Sequence, residues 1–192
     1  MKRLLAMVLA GMMALPVAAA ELGDDGLHKA PWMRDTFKDL TEDLDEANAE
    51  GKRLMLIFEQ RGCIYCTEMH EKVFPEPAIA SYIEENFFVV QLNLHGDIEI
   101  TDFDGETLTE KQAARKWGIL FTPTMIFLPE EVSGDAPAVA EAVAAMPGAF
   151  GKGTTIDMLT WVAEKRYEDQ SEEDFQRYHA RRIQERSNGS FD

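Results

Sequence analysis

The chain contains only two cysteines in 192 residues, Cys63 and Cys66, separated by two residues just after an apolar run that ends at Phe58. That run is too continuous for a strand exposed on one face. Residues 53–59 therefore predict a buried strand, and the cysteine segment predicts the first turn of a helix. Unpaired backbone N–H groups and the helix dipole stabilise a thiolate there. The spacing predicts a redox-active disulfide in which Cys63 attacks a foreign disulfide and Cys66 resolves the mixed disulfide.

The N-terminal segment has the pattern of an export signal. Two cations at residues 2–3 precede an apolar run at residues 4–15, and the small residues Ala18 and Ala20 fit a signal-peptidase site. These features predict a signal peptide over residues 1–20 and a soluble, periplasmic product. An uncleaved membrane anchor is the alternative, but the apolar run is short for a span.

Composition bears on the partners and on the number of domains. A net charge of −16 disfavours nucleic acids and anionic membrane surfaces, because both repel an acidic protein. The length suits one domain with its own core, which we expect to be monomeric. Two cysteines cannot form a disulfide framework, and a closely spaced pair in an exported protein is typically catalytic.

Apolar periodicity and turn residues predict an alternation of helices and strands along the chain. Strands are expected at residues 53–59, 87–94, 125–128 and 138–146, with a hairpin over residues 98–108. Helices are expected at residues 35–50, 63–73, 78–86, 109–117, 154–167 and 171–186, with Thr109 and Ser171 as two of the caps.

This order of elements resembles the thioredoxin fold. Thr122-Pro123 lies just before a strand, where thioredoxin-fold proteins place a cis-proline loop against the active-site disulfide, and residues 148–153 resemble their glycine-rich link to the last helix. The resemblance implies an α/β fold with a central mixed sheet flanked by helices, here with an extra hairpin insertion and an added C-terminal helix. Together with the residue patterns, this predicts a signal peptide (1–20), a loose lead-in (21–34), a thioredoxin-like domain (35–168), a C-terminal helical extension (169–186) and a disordered tail (187–192).

One subgroup is similar in more detail. The chain resembles the periplasmic thioredoxins of sulfur-oxidation gene clusters (SoxW) in four motifs: Phe58-Glu59-Gln60, Cys63-Ile64-Tyr65-Cys66, Glu68-Met69-His70 and Phe121-Thr122-Pro123-Thr124. The resemblance implies that the protein reduces disulfides or thiol adducts of cysteine-containing periplasmic proteins of that pathway. It also implies that a membrane thiol-electron transporter reduces the protein in turn.

The chain differs from cytosolic thioredoxins in two respects, which limit the site residues that can be assigned by this resemblance. Those proteins have Trp before the first cysteine and Gly-Pro between the two, whereas this chain has Gly62 before and Ile64-Tyr65 between. Where they bury an aspartate, this chain has Ile57. Glu59 lies two residues further along the same strand, so we consider it as the acid/base that activates Cys66, since a carboxylate in apolar surroundings has a raised pKa. A partly exposed glutamate without a catalytic role is the alternative.

Three residues are expected to contact the partner protein. Pro123, as the cis-proline, supplies edge backbone with which an extended peptide pairs. Thr122 places its hydroxyl near the sulfurs. Tyr65 is either an apolar cover for the disulfide or a surface aromatic.

A metal site using the cysteines is the competing interpretation. His70 follows Cys66 by four residues, so Cys63, Cys66 and His70 share one helix face, and a copper chaperone with these ligands is an alternative function. Zinc structural sites need four ligands. The other histidines are scattered along the chain, at His28, His95 and His179. We predict no metal and no cofactor apart from the Cys63–Cys66 disulfide.

The direction of electron flow is the last question that the sequence addresses. No histidine lies between the cysteines, where a cation would stabilise the Cys63 thiolate and make the disulfide oxidising. We therefore predict a reductant, with an oxidant of folding periplasmic proteins as the alternative.

Overall fold

The computed structural model describes residues 21–171 and 173–188, so the predicted signal peptide and residues 189–192 of the predicted tail lie outside the described residues. The strands are β1 (Glu21–Leu22), β2 (His28–Lys29), β3 (Met33–Arg34), β4 (Arg53–Glu59), β5 (Phe87–Asn93), β6 (Glu99–Thr101), β7 (Thr107–Thr109), β8 (Thr124–Phe127) and β9 (Ala144–Pro147). The helices are α1 (Leu40–Ala49), α2 (Ile64–Glu68), α3 (Pro77–Asn86), α4 (Glu110–Lys116), α5 (Ala138–Glu141), α6 (Lys152–Ala163) and α7 (Phe175–Ser187), and a π-helical segment (Met69–Val73) continues α2.

Five strands form the central mixed sheet in the order β3-β5-β4-β8-β9. Strands β3, β5 and β4 are parallel, whereas β8 and β9 are antiparallel to their neighbours. The central strand β4 is buried from Leu54 to Glu59, which explains why its sequence is apolar without alternation. Its carboxyl end leads directly into the cysteine segment, so the sheet core positions the disulfide.

Helices cover both faces of the sheet. On one face, α1 and α4 pack through Leu40, Leu44 and Trp117 onto a core that includes Leu54 and Phe58. On the other face lie the π-helical segment, α3, α6 and α7, around a second core. Within the described residues, no helix is long and apolar enough to cross a membrane.

The hairpin and the helix after it confirm two predictions. Strands β6 and β7 pair antiparallel, with Ile100 opposite Leu108, and form the insertion outside the main sheet. Thr109 caps α4 together with Gln112, whose side chain accepts a hydrogen bond from the Thr109 N–H. With α7 added at the C-terminus, the architecture is the one that the resemblance to the thioredoxin fold implies.

The first helix is shorter than predicted. It begins after Asp39, whose carboxylate accepts hydrogen bonds from the N–H groups of Thr41 and Glu42. Lys38 has a φ of 60°, which interrupts a helical path from residue 35. Phe37, which the periodicity assigned to the apolar stripe, is 96% exposed.

Four other boundaries differ from the predictions. The strand predicted over 138–146 is a short helix, α5, followed by β9, because the N–H groups of Ala140 and Glu141 donate to the Pro137 carbonyl and close a helical turn. Helix α6 begins after Gly151, earlier than the predicted threonine cap. Asp174, rather than Ser171, caps α7, which extends through Ser187 into the predicted tail. Residues 21–34, predicted as a loose lead-in, contain the β1–β2 hairpin and β3.

Candidate active site and the polar cluster behind it

The two cysteines form a disulfide at the start of α2, with their Cα atoms 5.2 Å apart. Cys63 is the N-cap of the helix, and Cys66 lies in its first turn. Cys66 has no exposed surface, while Cys63 retains 6%. In the disulfide form the pair is covered except at the Cys63 side, so a partner reaches Cys63 first.

Two hydrogen-bond donors point at the Cys63 sulfur. The backbone N–H of Cys66 donates to Sγ over 3.0 Å, and the Thr122 hydroxyl donates over 3.3 Å. The Thr122 carbonyl oxygen lies 3.4 Å from the same sulfur. Hydrogen bonds to an ionised acceptor are stronger than those to a neutral one, so both donors favour a thiolate on Cys63 after reduction.

The loop opposite the disulfide contains the predicted cis bond, between Thr122 and Pro123. The Pro123 carbonyl accepts a hydrogen bond from the Gly148 N–H over 2.7 Å, and proline has no N–H of its own. Pro123 therefore offers no free edge backbone, contrary to our expectation. The backbone that faces the disulfide is that of Thr122.

A groove of about 580 Å³ lies beside Cys63. Tyr65 and Thr122, two of the residues predicted to contact a partner, line the groove, whereas Pro123 does not. Large apolar side chains are exposed around this groove, which is unusual for a surface with no partner. They are Ile64, Tyr65, Leu120 and Phe121.

Glu59 lies at the end of β4 with no exposed surface. Its Oε1 is 2.7 Å from His70 Nε2, and its Oε2 accepts a hydrogen bond from the Gln91 amide, also over 2.7 Å. Gln91 is held in turn by the His28 carbonyl and by Lys29 Nζ. The carboxylate is therefore fixed in a buried polar cluster, which excludes the alternative of a partly exposed glutamate.

His28 completes this cluster. Its ring stacks on the His70 ring with centroids 4.5 Å apart, and its Nδ1 lies 3.9 Å from Glu59 Oε2. Its Nε2 is 3.3 Å from the Thr67 hydroxyl, next to Cys66. Burial lowers the pKa of His28, because desolvation disfavours the imidazolium, and the neighbouring His70 adds to the effect.

Sequence reasoning missed two members of the cluster. Gln91 is a polar residue inside the apolar run of β5, and that break in the pattern was the available signal. His28 gave no signal, because the β1–β2 hairpin brings it to His70 from far along the chain. His70 itself points its Nε2 at Glu59, so the described contacts of this ring do not pair it with the two sulfurs.

Comparison with known proteins places this geometry in a family. The model of the thioredoxin-like domain family matches residues 40–137, which is just over half of the chain. The chain belongs to the thioredoxin-like domain family. This membership, together with the disulfide at the start of α2, makes the protein a thiol–disulfide oxidoreductase.

Solved structures share the fold. The chain is 19% identical to a thioredoxin-fold protein from Helicobacter pylori, with a TM-score of 0.54 over 73% of this chain and 87% of that one. It is 24% identical to a thioredoxin from Thermus thermophilus, with a TM-score of 0.50 over 66% of this chain and 85% of that one. No curated protein sequence matches significantly.

Proposed function

We propose that the protein is an exported thiol–disulfide reductant in which Cys63 attacks and Cys66 resolves. The Cys63 thiolate attacks one sulfur of a partner disulfide, forms a mixed disulfide and releases the first partner thiolate. The Cys66 thiolate then attacks the Cys63 sulfur, forms the Cys63–Cys66 disulfide and releases the second partner thiolate. Two electrons pass to the partner.

The asymmetry of the cysteine pair carries this proposal. Cys63 lines the groove and its sulfur accepts two hydrogen bonds, whereas Cys66 is completely buried behind it. An attacking thiol needs access and thiolate stabilisation, and a resolving thiol needs only to reach the mixed disulfide. The exposed apolar side chains beside Cys63 favour a protein partner with apolar residues next to its cysteine.

Partners and location rest on the sequence. The resemblance to the sulfur-oxidation thioredoxins supports cysteine-containing periplasmic proteins as substrates and a membrane thiol-electron transporter as the source of electrons. The predicted signal peptide supports the periplasm. Ile64 and Tyr65 between the cysteines supply no cation to the Cys63 thiolate, which favours a reductant over an oxidant.

Glu59 is our candidate acid/base for Cys66. Its complete burial supports a carboxyl group that exchanges a proton with a buried thiol. Its described hydrogen bonds go to His70 and Gln91 rather than to a sulfur, so this role requires a proton path through the cluster or through water. The role predicts that Glu59→Gln slows resolution by Cys66 and leaves the attack by Cys63 unchanged.

The reduction potential tests the proposed direction. The protein is equilibrated with glutathione or dithiothreitol buffers, and the fraction of disulfide is measured by alkylation and mass. A potential near that of thioredoxin, about −270 mV, is expected for a reductant. A value near about −120 mV contradicts the proposal and identifies an oxidant.

A trapping experiment tests the assignment of the two thiols. Cys66→Ser removes the resolving thiol, so we expect a stable mixed disulfide through Cys63 with a model disulfide peptide. Cys63→Ser is the matched control and is expected to trap little, because Cys66 is buried. Equal trapping by both variants contradicts the assignment.

A further inference from the structure

Three side chains with metal-binding chemistry converge behind the redox helix. One ligand atom each from His28, Glu59 and His70 lies within 4.8 Å of the other two. We propose that these residues form a binding site for a single divalent transition-metal cation of the Zn²⁺ class. This site uses neither cysteine, so it is distinct from the Cys63–Cys66 site and from a Cys-His copper site.

The hydrogen-bond directions around His28 support the proposal. The Thr67 hydroxyl donates to the Cys63 carbonyl over 3.2 Å, so its oxygen is left to accept from His28 Nε2. In that arrangement the hydrogen of a neutral His28 is on Nε2, and the lone pair of Nδ1 faces Glu59 Oε2 at 3.9 Å. Two acceptors then face each other in a buried site, and a cation between them turns this repulsion into coordination.

The charge of the cluster also favours a bound cation. Glu59 is completely buried, and the described groups that contact its carboxylate are two imidazoles and the Gln91 amide, with no lysine or arginine side chain among them. An ionised carboxylate buried without a cation is costly. A divalent cation supplies the missing positive charge.

His70 is arranged to serve as a ligand. Its Nε2 lies 2.7 Å from Glu59 Oε1, while its buried Nδ1 has no hydrogen-bond partner within residues 21–171 and 173–188. In the neutral tautomer with its hydrogen on Nδ1, the Nε2 lone pair is free to bind a cation. The Gln91 amide holds the other carboxylate oxygen, as outer partners of metal ligands do.

The ligand atoms can reach one small ion once the two stacked imidazole rings turn so that both nitrogen lone pairs point at the same centre. Atoms bound to one tetrahedral zinc at about 2.0–2.1 Å lie roughly 3.3 Å apart. His70 Nε2 lies 2.7 Å from Glu59 Oε1, whereas His28 Nδ1 lies 3.9 Å from Glu59 Oε2. The first pair therefore has to open, and the carboxylate has to turn so that one oxygen and both imidazole nitrogens reach the same ion. Two imidazole nitrogens and one carboxylate oxygen favour Zn²⁺ or Co²⁺ over Ca²⁺ and Mg²⁺, and water completes the coordination.

Cobalt binding to the oxidised protein tests the site. The tag-free protein is stripped with a chelator while the disulfide is kept intact, which removes both thiolates as ligands, and it is then titrated with Co²⁺ and competed with Zn²⁺. We expect one equivalent of Co²⁺ with visible d–d absorption and no sulfur-to-cobalt charge-transfer band. His28→Ala and His70→Ala are expected to weaken binding at least 10-fold, since loss of an outer partner alone costs about that much.

His95→Ala is the matched control, because His95 is exposed and contacts Gln60 rather than the cluster. Binding equal to that of the unmodified chain is expected. Circular dichroism checks that each variant folds. If His70→Ala does not fold, His28→Ala, in the β1–β2 hairpin, decides the test. Absence of stoichiometric binding, or binding that both cluster variants retain, overturns the proposal. The disulfide stays closed throughout this experiment, so neither result bears on the proposed reductase function. That function is decided by its own tests.

Discussion

At the residue scale, one side chain outside α2, that of Thr122, donates a hydrogen bond to the Cys63 sulfur. A substitution can remove the Thr122 hydroxyl, whereas the other donor to this sulfur is the backbone N–H of Cys66. Valine is nearly the same size as threonine, so we expect the loop to keep its shape in Thr122→Val. The hydroxyl is therefore open to a clean test.

We expect Thr122→Val to raise the pH midpoint of Cys63 alkylation in the reduced protein by about one unit, because the thiolate loses a charge-assisted hydrogen bond. In the unmodified chain this midpoint should lie below that of a free thiol, about 8.5. Iodoacetamide labelling across a pH series measures both. Thr124→Val is the control, since its hydroxyl donates to the Phe121 carbonyl rather than to sulfur, and it should leave the midpoint in place.

The raised pKa of the buried Asp43 carboxyl group leads to a second prediction at the residue scale. Desolvation, opposed by a hydrogen bond from Thr36 and reinforced by nearby carboxylates, raises its pKa from 3.8 to about 6. A raised pKa means that the folded state favours the protonated acid. Its contribution to stability is complete below pH 3.8 and is lost as the pH rises through about 6.

Asp43→Asn should therefore increase the free energy of unfolding at pH 7.5 by up to about 3 kcal/mol and have little effect at pH 3.5. Urea unfolding at the two pH values measures the difference. Asp45→Asn, at an exposed position of the same helix, is expected to change neither value appreciably. An equal gain at both pH values would contradict the assigned cause.

At the scale of elements, the added helix α7 is anchored to α6 through one buried carboxylate. Asp157 accepts hydrogen bonds from both terminal nitrogens of Arg186, each over 2.7 Å, and from His179 over 2.6 Å. Burial by itself would raise the pKa of Asp157, but the bonds from Arg186 and His179 outweigh it and hold the pKa below 3.8. Phe175 adds an edge contact with Trp161.

Asp157→Asn should lower the free energy of unfolding at pH 7 by about 2 kcal/mol, because Arg186 loses its bidentate partner in a partly buried site. A lowered pKa gives stability above pH 3.8 that is lost as the pH falls through the folded value, so the effect should shrink towards pH 2. Urea unfolding across this range measures it. Glu168→Gln, exposed beyond α6, is the control. A loss that is independent of pH would point to packing rather than charge.

At the scale of the whole molecule, the sheet brings two sites to one end. Strand β4 carries Glu59 at its carboxyl end and leads into Cys63, while β5 supplies Gln91 from the parallel neighbour. Ile57 pairs with Gln91 in that register, so the polar side chain lies beside the strand that leads to the cysteines. The disulfide and the polar cluster therefore share one rigid support, although no cysteine is part of the cluster.

The sequence by itself determined the elements whose residues act locally. The continuous apolar run of β4, the cysteine pair at a helix start and the Thr109 cap all depend on short-range patterns, and the structure has each of them. The cis bond before β8 was implied by the resemblance to the thioredoxin fold, and the structure has it as well. Helix ends were less predictable. Lys38 in the left-handed region delayed the start of α1, and no periodicity signals such a residue.

Only the tertiary structure decided which distant residues meet. His28 comes to Glu59 and His70 because the β1–β2 hairpin folds against the redox helix, and Gln91 arrives through the β4–β5 register. From the sequence we expected Pro123 to supply free edge backbone. Its carbonyl accepts a hydrogen bond from the Gly148 N–H, so it is not free to pair with a partner. Local sequence patterns encode the periodicity of helices and strands and their caps. Contacts between residues that are distant in the chain depend on how the whole core packs. For this reason the cluster behind the disulfide could not be predicted before the fold was known.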